Sequence, residues 1–325
     1  ATGRRDVLPT QWGGGPPQAV EALFPEERQH AEPHRGQSVL DRPLHGAGRL
    51  SRTHSRRCHP PRRAPAGCAE AFRTTRGEAT EASVREYLAF AADNPCSIHA
   101  CIGRARTNAR SVRTALTIEL WEAINGAWNG LAEHRAPTRR DDMVRFLDWV
   151  KSVSLAVEGA SSRTMLRNDA YWFLRLGAAV ERADNTARLL DVKYHLLLPP
   201  GERVGGQLDY FQWTTLLREV SALTAYRWVY RESVRPWLVA DLLVLNRQMP
   251  RSLASCQAMS VSYLERLAAD YNRRGPAQRL AGARLNAFNE ARIEDIFQSG
   301  LHEYIQRFLT ENNALADAIH DQYLA

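Results

Sequence analysis

Glu181 and Arg182 stand side by side, with Arg175 upstream and Asp184, Arg188 and Asp191 downstream, so six ionisable side chains of both signs crowd one short stretch. Residues of these types can do two kinds of work. A carboxylate held near a reacting group serves as a general acid or base, and a guanidinium beside it clamps an oxyanion or a carboxylate. The same groups can instead fasten helices together through charge-assisted hydrogen bonds. Which of the two applies depends on the element that carries them and on what surrounds it.

That element reads as a helix over residues 169–198. Trp172, Phe173, Leu176, Val180, Ala183, Ala187, Leu190, Tyr194 and Leu197 recur at three-and-four spacing rather than alternating. Asp169 fits an N-cap, and Pro199, Pro200 and Gly201 end the run. At about 100° per residue, Glu181, Asp184, Arg188 and Asp191 fall along one flank of the apolar stripe, and Arg175 and Arg182 along the other. Arg188 can pair with Asp184 four residues before it and with Asp191 three residues after it. Neighbours on a helix do not face each other, so Glu181 and Arg182 must each reach a different partner.

Trp172, Phe173, Leu176, Gly177, then Val180, Glu181, Arg182, Ala183, Asp184, then Ala187, Arg188, Leu190, Asp191 and Val192 together resemble the bacterial alpha-E family, named for its Glu-Arg motif. Residues 84–101, 121–131, 209–231 and 239–255 are similar to that family as well. The resemblance implies an all-helical protein, usually a tandem duplication. It also implies association with a peptide synthesis or modification system containing circularly permuted ATP-grasp ligases and transglutaminase-like proteins. A non-catalytic binding or scaffolding component suits these residues best. The rival is an enzyme of that system using Glu181 as acid or base with an Arg clamp, Arg182 or Arg188. No cofactor is implied.

A duplication is partly visible within the chain. Val84, Leu88, Phe90, Pro95, Ser97, Ile98 and Cys101 are matched at a constant spacing of ~155 residues by Val239, Leu243, Leu245, Pro250, Ser252, Leu253 and Cys256. In both copies the Pro fits the first position of a helix, where its fixed φ and missing N–H do no harm. A second Glu-Arg helix is expected upstream of Val84, and the sequence as written has none. The stripe of Trp172, Leu176, Val180 and Leu190 is therefore expected to lack part of its cover and to leave an apolar patch open.

Residues 1–79 stand where the missing helix belongs, and their composition is foreign to the rest. The first 80 residues hold 9 of the 16 prolines, 5 of the 10 histidines and no lysine, with 13 arginines against 8 acidic residues. Most of the formal net charge of +7 therefore comes from this segment. The segment reads as an out-of-frame translation. Permitted codons for Val39 to Leu50, read one base later, give Cys, Trp, Ile, Gly, Arg, Tyr, Met, Glu, Arg, Ala, Asp, which resembles the lost first copy of the motif. The competing reading is an authentic disordered basic tail, too poor in apolar residues to fold. On either reading the basic charge of residues 1–79 carries no function.

Residues 80–325 can bury a sizeable core. The pattern predicts an all-α antiparallel bundle with helices near 82–91, 95–134, 138–158, 169–198, 208–231, 234–246, 249–271 and 286–323, and connections at 135–140, 160–168, 199–206 and 272–282. No apolar run approaches membrane-spanning length and no signal sequence is visible, so a cytoplasmic protein with no membrane partner is expected. Cys96, Cys101 and Cys256 lack metal spacing and read as buried thiols. Asp317 and His320 have carboxylate-to-His spacing but no companions, so no metal site is expected. Glu265 and Arg266 repeat the dipeptide without its flanks and read as surface charges. Tyr226, Trp228, Tyr230 and Trp237 alternate with Arg227, Arg231 and Arg235, a pattern that suits nucleic-acid stacking less well than a core face beside a wet face. No nucleic-acid partner is expected.

Overall fold

The computed structural model describes residues 80–134, 140–195 and 206–323, and among them it contains twelve α-helices and no strand. The expected segment 1–79 and the connections at 135–139 and 196–205 lie outside the described residues. In chain order the helices are α1 (Glu81–Ala89), α2 (Ile98–Ser111), α3 (Ile118–Gly130), α4 (Arg140–Thr164), α5 (Asp169–His195), α6 (Gln207–Glu219), α7 (Leu223–Tyr230), α8 (Pro236–Ala240), α9 (Leu253–Asp270), α10 (Pro276–Glu290), α11 (Ile293–Ser299) and α12 (Leu301–Tyr323).

Two departures from the sequence reading are breaks made without Gly or Pro. The expected helix 95–134 divides at Val112, where a short 3-10 turn intervenes and Thr117 caps α3 by accepting from the Leu120 N–H at 3.3 Å. The expected helix 208–231 divides at Ser221, which takes a left-handed φ of 54°. Residues 272–282, read as a connection, contain the start of α10, with Pro276 in its first turn and the Gln278 side chain accepting from the Gly275 N–H at 2.9 Å. Helix α4 runs beyond residue 158 through a Ser-rich end, where Ser161 and Thr164 donate back to the Glu158 and Ala160 carbonyls and so spend their hydroxyls within the helix. The last expected helix is three, interrupted at Gly300, whose φ of 94° suits glycine alone.

Helices α5, α9, α10 and α12 form a closed four-helix ring in which each packs on two neighbours and faces the fourth across the core. Helices α2, α3 and α4 form an open row, with α3 packed on both of the others. Around the second half of α5, helices α6, α7 and α8 and a π turn at Asp241–Leu245 add Trp213, Leu217, Tyr226, Leu242 and Leu243 to the apolar interior.

The segments matched at spacing ~155 fold alike locally. Ser97 and Ser252 are both N-caps, accepting from the Ala100 N–H at 3.1 Å and the Ser255 N–H at 3.0 Å. The thiols of Cys101 and Cys256, both buried, donate to the Pro95 and Pro250 carbonyls. The prolines do not open the helices as expected. Each lies two residues before the serine that does, because the hydroxyl satisfies an amide that proline at that position would leave unpaired.

Candidate functional site

Helix α5 begins one residue earlier than its expected cap implies. Asn168 is the residue whose side chain accepts from the Tyr171 N–H, at 3.4 Å, while Asp169 lies in the first turn. There Asp169 accepts from the Tyr271 hydroxyl of the α9 C-cap at 2.8 Å. Burial and the Asp169 carboxylate both hold that phenol above its ordinary pKa.

The middle of α5 is not amphipathic in its setting. All residues from Ala178 to Ala187 are buried, on every side of the helix. The charged flank read from the sequence is therefore enclosed, because α9 and α12 close over α5 together with α6. Glu181 is 7 % exposed and Arg182 2 %. The stripe expected to lie open is covered as well: Trp172, Leu176, Val180 and Leu190 are all buried, so the expectation of an apolar patch on α5 is wrong. Trp172 stacks on Tyr263 of α9, and the guanidinium of Arg266 lies 4.6 Å from the Trp172 ring centroid. Arg266 thus covers the motif helix, while Glu265 pairs with Arg274 at the surface.

The other four candidate residues divide among different neighbours. Arg188 grips Asp184 with two hydrogen bonds, Nε to Oδ2 at 2.8 Å and Nη2 to Oδ1 at 3.2 Å, as the four-residue spacing predicts. Asp191 reaches α12, taking His302 Nδ1 at 2.6 Å on one oxygen and the Gln306 amide at 2.7 Å on the other. Arg175 reaches back to α4 and pairs with Glu158. Burial by itself would lower the Arg175 pKa, but Glu158 and Tyr263 together outweigh it and raise the pKa, so the guanidinium stays charged. Glu181, Arg182 and Asp184 are thus buried, with half-buried Arg188 held on Asp184, whereas Arg175 and Asp191 tie the helix to two different elements.

Several residues that hold this arrangement carry no local sequence signal. Asn312 of α12, 3 % exposed, donates its amide to the Val180 carbonyl at 3.1 Å, one residue before Glu181. Lys193 makes a 2.9 Å ion pair with buried Asp209 of α6 and lies 5.2 Å from the Trp213 ring centroid. Arg251, next to the capping Ser252, is buried too. Asn312 lies 132 residues from the carbonyl it meets, so no periodicity within the motif could point to it.

The remaining decoys resolve simply. Tyr226 is fully buried, its hydroxyl donating to the Ser233 carbonyl at 2.8 Å, while Trp228 and Trp237 are exposed. The cluster is a core face beside a wet face. Among the described residues no group of three or more His, Cys, Asp or Glu is placed to hold a metal ion, and no helix is long and apolar enough to cross a membrane.

No curated protein and no solved structure matches this chain. A family model does: Alpha-E, described as a predicted alpha-helical domain with a conserved ER motif, matches residues 42–324. With Glu181 and Arg182 at the centre of an all-helical body, and with a match over most of its length, the chain belongs to the Alpha-E family.

Proposed function

We propose that this protein is a non-catalytic binding or scaffolding component of a bacterial peptide synthesis or modification system, working beside circularly permuted ATP-grasp ligases and transglutaminase-like proteins. The observation that carries the non-catalytic part is the burial of the motif. A carboxylate acting as acid or base must touch the group it protonates, and Glu181 lies inside a helix encased over ten consecutive residues. Charged residues so placed serve to fix helices in one arrangement, and a fixed all-helical body offers rigid outer faces for partners. The choice of system follows from the family resemblance.

The test is to mix the full chain with a circularly permuted ATP-grasp protein and a transglutaminase-like protein from the same genome, and to follow association by calorimetry and gel filtration. A stoichiometric complex that adds no turnover of its own supports the reading. Peptide ligation or hydrolysis by the chain alone, abolished by Glu181→Gln while the fold persists, would establish the enzyme instead.

A further inference from the structure

Three of the connections between helices meet at one end of the body. Thr117, which caps α3, shares a 2.6 Å hydroxyl–hydroxyl hydrogen bond with Thr164 at the end of α4, and Asp169 at the start of α5 accepts from Tyr271 at the end of α9. The turns α2–α3, α4–α5 and α9–α10 thus lie side by side. Residues 110–119, 163–169 and 270–274 carry six arginines, Arg110, Arg113, Arg163, Arg167, Arg273 and Arg274, all exposed, against three acidic residues, Glu119, Asp169 and Asp270. Residues 81–325 as a whole hold 30 basic residues against 28 acidic ones, so the positive excess of the entire body is gathered at this end. Asp169 is spent on Tyr271 and on the Ala170 N–H. Among the described residues Arg274 has a carboxylate partner in Glu265, and the other five arginines have none. Two of these are already held in place, Arg113 with its guanidinium 5.0 Å from the Trp121 ring centroid and Arg167 with its own 3.9 Å from that of Tyr171. A stacked guanidinium keeps edge N–H groups for a carboxylate and loses less freedom on binding one. Beside the arginines stand Ile118 and Leu166, exposed to 73 % and 76 %. One follows Thr117 and the other comes shortly after Thr164, so the two flank the hydroxyl bond, within about 15 Å of each other.

We infer that this end of the body docks an acidic segment of a partner protein, whose carboxylates pair with the arginines and whose apolar side chains cover Ile118 and Leu166. Charge complementarity selects the occupant. Residues 1–79 of the chain itself are excluded by sign, since the first 80 residues hold 13 arginines against 8 acidic residues. The same end of a second copy is excluded by like-charge repulsion. Lipid interfaces and nucleic-acid bases are met by exposed aromatic rings, and these turns offer none: Tyr171 is buried, and Trp121 and Tyr271 are half-buried. Neither the turns nor their charge depend on the peptide-modification reading.

The probe is a fluorescein-labelled peptide of repeated Glu-Glu-Leu units, titrated with the full chain and followed by anisotropy, with a Gln-Gln-Leu peptide as control. Saturable binding of the acidic peptide alone is expected, weakened more than about tenfold by the double change Arg110→Glu and Arg163→Glu, and weakened also by Leu166→Ser. Arg247→Glu should leave it unchanged, since that exposed arginine precedes the start of α9, roughly 25 Å from the turns along the helix. Circular dichroism of the variants, each changed at exposed positions, confirms that the fold is kept. Binding through the arginines of residues 1–79 would be blind to every one of these changes, so equal binding by all variants would overturn the inference. Absence of binding, or equal affinity for the Gln-Gln-Leu peptide, would overturn it as well. Phosphatidylglycerol vesicles that bind the chain and lose it with Arg110→Glu and Arg163→Glu, where the acidic peptide does not bind, would overturn it by giving the surface to a lipid.

Discussion

Replacing Arg284 with Met should make this protein more stable. Arg284 lies on α10, is 7 % exposed, and none of its three guanidinium nitrogens makes a hydrogen bond. Its guanidinium carbon is 4.4 Å from the Phe308 ring centroid, and its nearest carboxylate, Glu311 on α12, stands 3.6 Å away and half in solvent. Burial outweighs the attraction of Glu311 and pulls the Arg284 pKa down to about 10. A guanidinium whose pKa falls from its ordinary value to about 10 carries a penalty on the order of 3 kcal/mol in its charged form. Met has nearly the same length, keeps the contact with Phe308 and removes the charge. The expected gain at pH 7 is about 1–3 kcal/mol, since buried ionic groups replaced by apolar ones of similar volume are often stabilising. For a body of this size that is roughly 3–10 °C in melting temperature, read by circular dichroism. The native state binds the Arg284 proton less tightly than the unfolded chain, so wild-type stability from this residue rises as pH climbs above about 10 towards the ordinary guanidinium value. The advantage of Met should therefore shrink above pH 10. A variant less stable than wild type by more than about 1 kcal/mol would refute this reasoning and show that the guanidinium is satisfied in solution.

Two glycines of α3 should respond in opposite directions. A Cβ on Gly126 meets nothing within 4 Å, so Gly126→Ala should stabilise by about 0.5–1 kcal/mol, whereas a Cβ on Gly130 would lie 2.8 Å from the Trp149 ring and Gly130→Ala should cost about 1–3 kcal/mol in urea titration. Ser97→Ala and Ser252→Ala should each lower stability by about 0.5–2 kcal/mol in the same titration, since each removes an N-cap. Resequencing the coding DNA through codons 25 to 85 should reveal a one-base shift that restores a Trp-bearing Glu-Arg helix; an unchanged sequence would make residues 1–79 authentic.

The motif helix was legible because its signals are local. Residues 169–195 open at an Asn-Asp pair and approach Pro199, Pro200 and Gly201, and Arg188 finds Asp184 at the four-residue spacing that any helix dictates. Its setting was not legible. Whether Glu181 faces water or protein depends on α9 and α12, which come much later in the chain, Asn312 of α12 meeting the Val180 carbonyl across 132 residues. The ties of Arg175 to Glu158 and of Asp191 to His302 are likewise long-range. The breaks at Val112 and Ser221 escaped notice because neither has Gly or Pro, and Ser221 takes its left-handed turn on an ordinary side chain. The apolar stripe of Trp172, Leu176, Val180 and Leu190, expected to lie open for want of a missing helix, is buried, because its cover comes from elements remote in the chain.

The central claim is that the Glu-Arg pair fastens α5 within its ring, and Arg182 is its more deeply buried member. Equilibrium urea unfolding of Arg182→Ala tests that claim directly. Removing one member of a buried charged network costs about 3–5 kcal/mol, and a loss of that size is the predicted result. An Arg182→Ala protein within about 0.5 kcal/mol of wild type would place the guanidinium among groups that hold nothing together, and would contradict the account.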